Sequence, residues 1–403
     1  MPTDRSREPD APHDCASALA KPATQASGPR LRIGIDASPL STSQQGIGRY
    51  VHQICLQLDA LMPEADFVLY SPRALLSKPP SSRWTVRVAR TRIPSSNLWL
   101  KWALPSACAH DALDVFWGTR TLLPASRFRP RTVCTVHDLN VYIAPRSMPW
   151  ITRWSHRMWF SRDVRRATAV VAVSAGTAAR LDERLGVGAR AVARPGVSAV
   201  FTPDAATDAA LRLARLGVHT PYFLAVGTLE PRKNLATLIE AFTELRRAGN
   251  LMDHALLLVG GRGWSNRRLR RMLVEAEALG VRWLGRVSDE DLATLYAACT
   301  AFVFPSLYEG FGIPAAEALA CGARVIASDV PELREATQQC AHYIAPDRAS
   351  IADALRTVAL DAGSLPAAVP PRSWHDAAVV MAEVLRDVAH GAEHQLGGSR
   401  ASR

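Results

Sequence analysis

The stretch "AFVFPSLYEGFGIPAAEALACGARVIA", Ala301 to Ala327, decides how the second half of the chain is folded. Ala301 to Phe304 is a short apolar run and reads as a buried strand. Pro314 to Cys321 is alanine-rich and helical, and Pro suits a first helical turn because its missing N–H is not needed there. Arg324 to Ala327 reads as a second buried strand. Strand, helix and strand at this spacing form the repeating unit of a parallel sheet. Between the first strand and the helix lies the turn Gly310, Phe311, Gly312, with Glu309 on one side and Glu317 on the other. Two carboxylates therefore bracket bare backbone at the carboxyl end of a strand, where open parallel sheets bind ligands.

The same alternation extends upstream. Strands are predicted at Tyr222–Val226, Ala255–Val259 and Val281–Leu284, and helices at Asn234–Arg247, Asn266–Ala278 and Asp289–Ala298. The first half repeats the pattern, with strands at Leu31–Ala37, Phe67–Tyr70, Thr85–Val88, Val115–Trp117, Thr132–Val136 and Ala169–Val173. A helix is predicted over Tyr50–Met62. Arg194 to Pro221 holds Pro195, Gly196, Pro203 and Gly217 and no clear strand, which marks a boundary. The expectation is an α/β protein of two Rossmann-like, doubly wound domains facing a cleft, residues 31–200 and 201–372. A last helix within 373–390 is placed to cross back to the first domain. Residues 1–30 and 391–403 read as tails.

Bulk composition agrees with this organisation. A length of 403 residues suits about two or three domains. An apolar fraction of 48% supplies a sizeable core and excludes a disordered chain. No apolar run reaches membrane-spanning length, and the first thirty residues lack the apolar segment of a secretory signal. The seven cysteines form no C-x-x-C pair, which argues against a zinc site or disulfide framework and fits a cytoplasmic protein. The formal charge of +11 is uneven: Ser81 to Val170 carries fifteen Arg or Lys against four Asp or Glu. Such a field attracts phosphate-bearing partners.

Three turns of the second half should share one sheet edge: "GTLEPRKN" (Gly227–Asn234), "GGRGW" (Gly260–Trp264) and the turn quoted first. Together they suit a nucleotide-sugar. Arg232 and Lys233 would bind a diphosphate and stabilise it as it leaves. Gly227, Gly261, Gly310 and Gly312 let backbone approach oxygens closely, beside Thr228, Phe311 and Ile313. Glu309 would accept hydrogen bonds from sugar hydroxyls, and Glu317 from ribose hydroxyls. In the first half, "QQGIGRY" (Gln45–Tyr50) supplies Gly46 and Gly48, but Val51 stands where a dinucleotide fingerprint needs a third glycine. "TVHDLN" (Thr135–Asn140) supplies His137 and Asp138. Ser288 in "SDEDL" is a good N-cap, so Asp289 and Asp291 read as first-turn acids and not as metal ligands.

Glu309 and Glu317 match the E-x7-E motif of the retaining glycosyltransferases of family 4. "GTLEPRKN" resembles that family's phosphate-binding segment, "GGRGW" its glycine turn, and "VSAGT" (Val173–Thr177), with Ser174, a segment near its donor pocket. Gly46 and Gly48 resemble its glycine loop, and His137 and Asp138 the pair lining its reaction centre. The resemblance runs from about Leu31 to about Val388. It implies the GT-B fold and metal-independent transfer with retention, in which the leaving phosphate accepts the acceptor's proton. The roles it implies are catalytic for Arg232, Lys233, Glu309, His137 and Asp138, and donor-binding for the remaining turn residues. No cofactor is implied, since the nucleotide-sugar is a substrate. "FWGTRTLLP" (Phe116–Pro124) adds a likeness to bacterial mannosyltransferases of O-antigen and exopolysaccharide assembly, which favours GDP-mannose over UDP- or dTDP-sugars.

The acceptor implied is a glycan or polyprenyl-linked glycan. "MPWITRWSHRMWFSRDVRRA" (Met148–Ala167) mixes Trp150, Trp154, Met158 and Trp159 with five arginines, and "NLWLKWALP" (Asn97–Pro105) adds Trp99 and Trp102. That mixture suits peripheral contact with an anionic membrane, and also an ordinary helix with buried tryptophans. Two other functions stay open at this point: a nucleotide-sugar epimerase on the same fold, and a non-catalytic binder of anionic polymer. Nucleic acid is disfavoured because the basic residues form no recognisable binding motif.

Overall fold

The computed structural model describes residues 30–391 apart from 43–45, 90–92, 94, 126–127, 149, 208, 220, 264–266 and 362–368. The expected tails lie outside the described residues apart from Arg30 and Gly391, as do Gln45, Trp264 and the expected helix start at Asn266. The first sheet contains β1 (Leu31–Asp36), β2 (Ala65–Ser71), β3 (Trp84–Val88), β4 (Val115–Gly118), β5 (Arg131–Val136), β6 (Ala169–Ala172) and β7 (Ala191–Val192). Its order is β3-β2-β1-β4-β5-β6-β7, and every pairing is parallel. The second contains β8 (Tyr222–Val226), β9 (Ala255–Val259), β10 (Val281–Gly285), β11 (Ala301–Phe304), β12 (Val325–Ser328) and β13 (His342–Ile344). Its order is β10-β9-β8-β11-β12-β13, again all parallel.

Both orders reverse direction beside the first strand, between β1 and β4 and between β8 and β11. A crevice opens at such a point because the crossover helices leave toward opposite faces. The central strands carry almost unbroken apolar runs because helices cover both faces. Ala301–Phe304 is buried throughout, and its register pairs Phe302 with Leu224 on one side and Val325 on the other.

On one face of the first sheet, Val51, Ile54 and Leu58 of the helix Ile47–Leu61 pack with Ala378, Met381 and Leu385 of the helix Trp374–His390. The chain's last described helix thus completes the first sheet's core. It returns beside the outgoing linker: Val197 N donates to Arg372 O at 2.9 Å, and a Cβ on Gly196 would lie 2.2 Å from Trp374 N.

Elements differ from expectation mainly at their ends. The helix expected from Tyr50 begins at Ile47, and that expected at Pro314 spans Ile313–Ala320. The boundary segment holds a helix, Ala209–Arg215. No expectation covered β7 or β13.

Candidate active site

Turns from both sheets converge on one cavity of ≈ 290 Å³. The second sheet contributes the turns after β8, β9 and β11, and the first contributes the segments after β1 and β5. Of the residues singled out in the sequence, Gly46, His137, Asp138, Gly227, Thr228, Arg232, Lys233, Glu309, Gly310, Phe311, Gly312, Ile313 and Glu317 line it. Gly48, Ser174 and Gly261 stand behind the lining. Gly48 is buried in the first turn of Ile47–Leu61. Gly261 O accepts from Leu229 N at 3.0 Å, which shapes the turn after β8, and its neighbour Gly260 lines the cavity.

After β8 the chain turns through a short 3-10 segment, Pro231–Lys233, and Asn234 takes a left-handed φ of 56° before the helix Leu235–Arg247. That turn aims both cations at the segment after β11. Lys233 Nζ donates to Glu309 Oε1 at 2.7 Å, and Arg232 Nη1 to Glu309 Oε2 at 2.5 Å. Arg232 also donates to Glu230 Oε1 at 2.7 Å and to Tyr308 O at 2.8 Å. Burial pushes the Glu309 carboxyl up, but the adjacent Arg232 and Lys233 outweigh it and hold the group at about 2. Burial also lowers the Lys233 ammonium, against the pull of Glu309.

Glu317 lies one helical turn inside Ile313–Ala320 and is buried. Arg49, from the first turn of Ile47–Leu61, reaches it across the cleft: Nη1 to Glu317 Oε1 is 2.7 Å, and Nη2 to Asp289 Oδ1 is 2.5 Å. Burial, helped by the Asp289 charge and opposed by Arg49, raises the Glu317 carboxyl to about 7. Sequence reasoning passed over Arg49, although it adjoins Gly48. Its only signal was a cation in the first helical turn, where the dipole disfavours positive charge. Ser288 does cap its helix, with Oγ accepting from Asp291 N at 3.1 Å. Among the described residues, no group of three or more His, Cys, Asp or Glu is placed to hold a metal ion.

The turn after β11 is pressed onto the first sheet. A Cβ on Gly310 would stand 1.7 Å from His137 O, so only glycine admits this approach. Ser174 Oγ and Thr177 Oγ1 both donate to Gly310 O, at 2.6 and 2.9 Å. Tyr308 Oη accepts from Leu139 N at 2.7 Å. His137 Nε2 lies 2.7 Å from Thr119 O. A carbonyl only accepts, so Nε2 carries the proton, and burial lowers the ring's pKa and keeps it neutral. Its Nδ1 is thereby left as an acceptor.

Nearby, helix Pro331–Ala336 holds the first domain with two more carboxylates. Glu332 meets Arg180 at 2.5 Å, and Glu335 accepts from Ala175 N at 2.8 Å and from Arg194.

The cavity can therefore hold a polyanion against Arg232 and Lys233, and hydroxyl groups against Glu309 and Glu317. The chain is similar to known proteins. Residues 45–201 match the model for "Glycosyltransferase Family 4", and residues 220–361 that for "Glycosyl transferases group 1". O-antigen chain mannosyltransferase B of Escherichia coli is 45% identical over 115 residues, 28% of this chain and 30% of that protein. The chain thus matches less than a third of that relative's length. Sucrose-phosphate synthase from Thermosynechococcus elongatus superposes with a TM-score of 0.66 at 22% identity, covering 90% of this chain and 97% of that one. WaaG, a glycosyltransferase involved in lipopolysaccharide biosynthesis, superposes with a TM-score of 0.65 at 15% identity over 91% and 100%. The fold is GT-B, as the resemblance implied. With one family model on each half and the E-x7-E carboxylates in the cleft between them, the chain belongs to the glycosyltransferases of family 4.

Proposed function

We infer that this protein moves a hexosyl group, mannose from GDP-mannose, to a glycan or lipid-linked glycan acceptor in cell-surface polysaccharide synthesis. Transfer retains the anomeric configuration and uses no metal ion. The observation that carries this reading is the mutual pairing of Arg232, Lys233 and Glu309 inside the cavity. A diphosphate replaces Glu309 as the partner of both cations and frees its two oxygens for sugar hydroxyls. Each charged group then keeps a partner, so the exchange avoids leaving a buried charge unpaired.

As the bond from the anomeric carbon to the phosphate oxygen breaks, negative charge grows on the diphosphate. Arg232 and Lys233 are already in place to stabilise it. The acceptor hydroxyl forms the new bond on the same face and gives its proton to the leaving phosphate. Glu309 orients the ring, and Glu317 holds the ribose. The mannosyltransferase relative supports the choice of sugar. The basic first domain and its exposed Trp–Arg helix support peripheral attachment to the cytoplasmic face of a membrane, near a polyprenyl-linked acceptor. Among the described residues no helix is long and apolar enough to cross a membrane.

A thermal-shift series tests the reading. GDP-mannose at about 100 times its dissociation constant should stabilise the wild type by ~2.7 kcal/mol, and the same concentration should do much less for Lys233→Ala. A larger shift with UDP-sugars would replace the donor. No shift with any nucleotide-sugar would remove the reading altogether.

A further inference from the structure

A second cavity of ≈ 120 Å³, which shares no lining residue with the first, lies between the helices Ser96–Trp102 and Trp150–Arg166. Lys101, Trp102, Trp159, Arg162 and Arg166 line it, with Asp163 as the only carboxylate. Asp163 is fully committed. It takes Lys101 Nζ, Leu123 N at 3.0 Å and Arg166 Nε at 3.0 Å. Three cations therefore face one neutralised carboxylate, and Arg162 is exposed and has no partner among the described residues. Lys101 Nζ also sits 5.3 Å from the centre of the Trp159 ring, which fixes the ammonium at the cavity wall.

Trp102 lines the cavity and is exposed, and the helix Trp150–Arg166 carries further exposed apolar side chains. Trp102 is 66% exposed, Trp150 71%, Trp154 53% and Met158 49%. Arg153, Arg157 and Arg165 are exposed on the same helix, and no acidic residue shares that face. A cationic seat beside the exposed Trp102, next to a helix that carries further exposed tryptophans, matches the boundary layer of a bilayer, where phosphate lies just outside the acyl chains. A soluble phosphate would use the seat and leave these apolar side chains uncovered.

We propose that this cavity seats the phosphate of one anionic phospholipid while Trp102, Trp150 and Trp154 enter the surrounding headgroup layer. The proposal rests on the peripheral-attachment reading and adds to it a discrete lipid site. Arg162 supplies a planar, two-pronged contact to the phosphate, which a lysine does not reproduce.

Sedimentation of the full chain with phosphatidylglycerol or phosphatidylcholine vesicles tests it. Wild type should prefer phosphatidylglycerol. Arg162→Lys keeps the charge and should weaken that binding by about tenfold, whereas Arg157→Lys should leave it unchanged. Both residues are exposed, so both variants should melt as the wild type does. Equal recovery on the two vesicle types overturns peripheral attachment itself. A phosphatidylglycerol preference that Arg162→Lys leaves intact overturns only the site, since charge spread over the helix would then suffice. If glycerol 3-phosphate in solution bound the wild type as tightly as phosphatidylglycerol vesicles do, and Arg162→Lys weakened it equally, the seat would take soluble phosphates and the lipid assignment would be overturned.

Discussion

Glu309 and Glu317 are eight residues apart and similarly buried, yet their surroundings drive them in opposite directions. Two adjacent cations hold Glu309 at about 2, while burial beside Asp289 lifts Glu317 to about 7. The consequences for folding are opposite in sign. Glu309 contributes stability that is present above the ordinary carboxylate range and is lost as pH falls toward about 2. Glu317 binds its proton more tightly when folded, so its contribution declines as pH rises from that range through about 7. Donor binding should show the Glu317 ionisation directly, because only the carboxylate accepts from both ribose hydroxyls. The donor KM should fall by about tenfold between one pH unit below that value and one above. In Glu317→Gln the KM should be raised and the profile flat. A wild-type profile in that variant would take Glu317 out of the donor site. Both glutamates could be picked out in the sequence, because they flank a glycine turn at a strand end and the turns Gly227–Asn234 and Gly260–Trp264 follow neighbouring strands in the same way. Arg49 could not, because its partners Glu317 and Asp289 lie more than two hundred residues away and only the fold brings them together.

Among elements, the turn after β11 has the tightest tolerance. Its glycine backbone rests on the carbonyl of His137, and two hydroxyls from the segment after β6 hold Gly310 O. Gly310→Ala must push that turn off the first sheet, since its Cβ would overlap His137 O. A displacement of about 1 Å near reacting atoms costs on the order of a hundredfold, so kcat/KM should fall by that factor while each sheet stays folded. Wild-type kcat/KM in Gly310→Ala would mean that the contact belongs to a resting arrangement and not to the reacting one. Strands such as β8, β9 and β11 were legible because their runs of four or five apolar residues are flanked by glycine or proline. The two-residue β7 and three-residue β13 lie at sheet edges and are too short for any periodicity to register. Ser174 illustrates a related limit. Its motif pointed to the donor pocket, and the structure places its hydroxyl on Gly310 O, supporting the turn from behind.

At the scale of the whole molecule, two sheets are held in one arrangement by charges that cross between them: Arg49 to Glu317 and Asp289, Arg180 to Glu332, and Arg194 to Glu335. None of these pairs follows from local pattern, although the plan of two parallel sheets does. The helix Trp374–His390 belongs to the first sheet's core, so the chain passes between the domains twice and the two crossings lie side by side. The cleft thus holds paired charges at Arg232, Lys233 and Glu309 and at Arg49 and Glu317, and a nucleotide-sugar would enter by exchange: diphosphate for carboxylate on the cations, and hydroxyls for cations on the carboxylates. The structure of the complex with GDP-mannose tests that exchange most directly. The account predicts the diphosphate within hydrogen-bond distance of Arg232 and Lys233, the sugar hydroxyls on Glu309 and the ribose on Glu317. A donor bound elsewhere, with Glu309 still holding both cations, would contradict it.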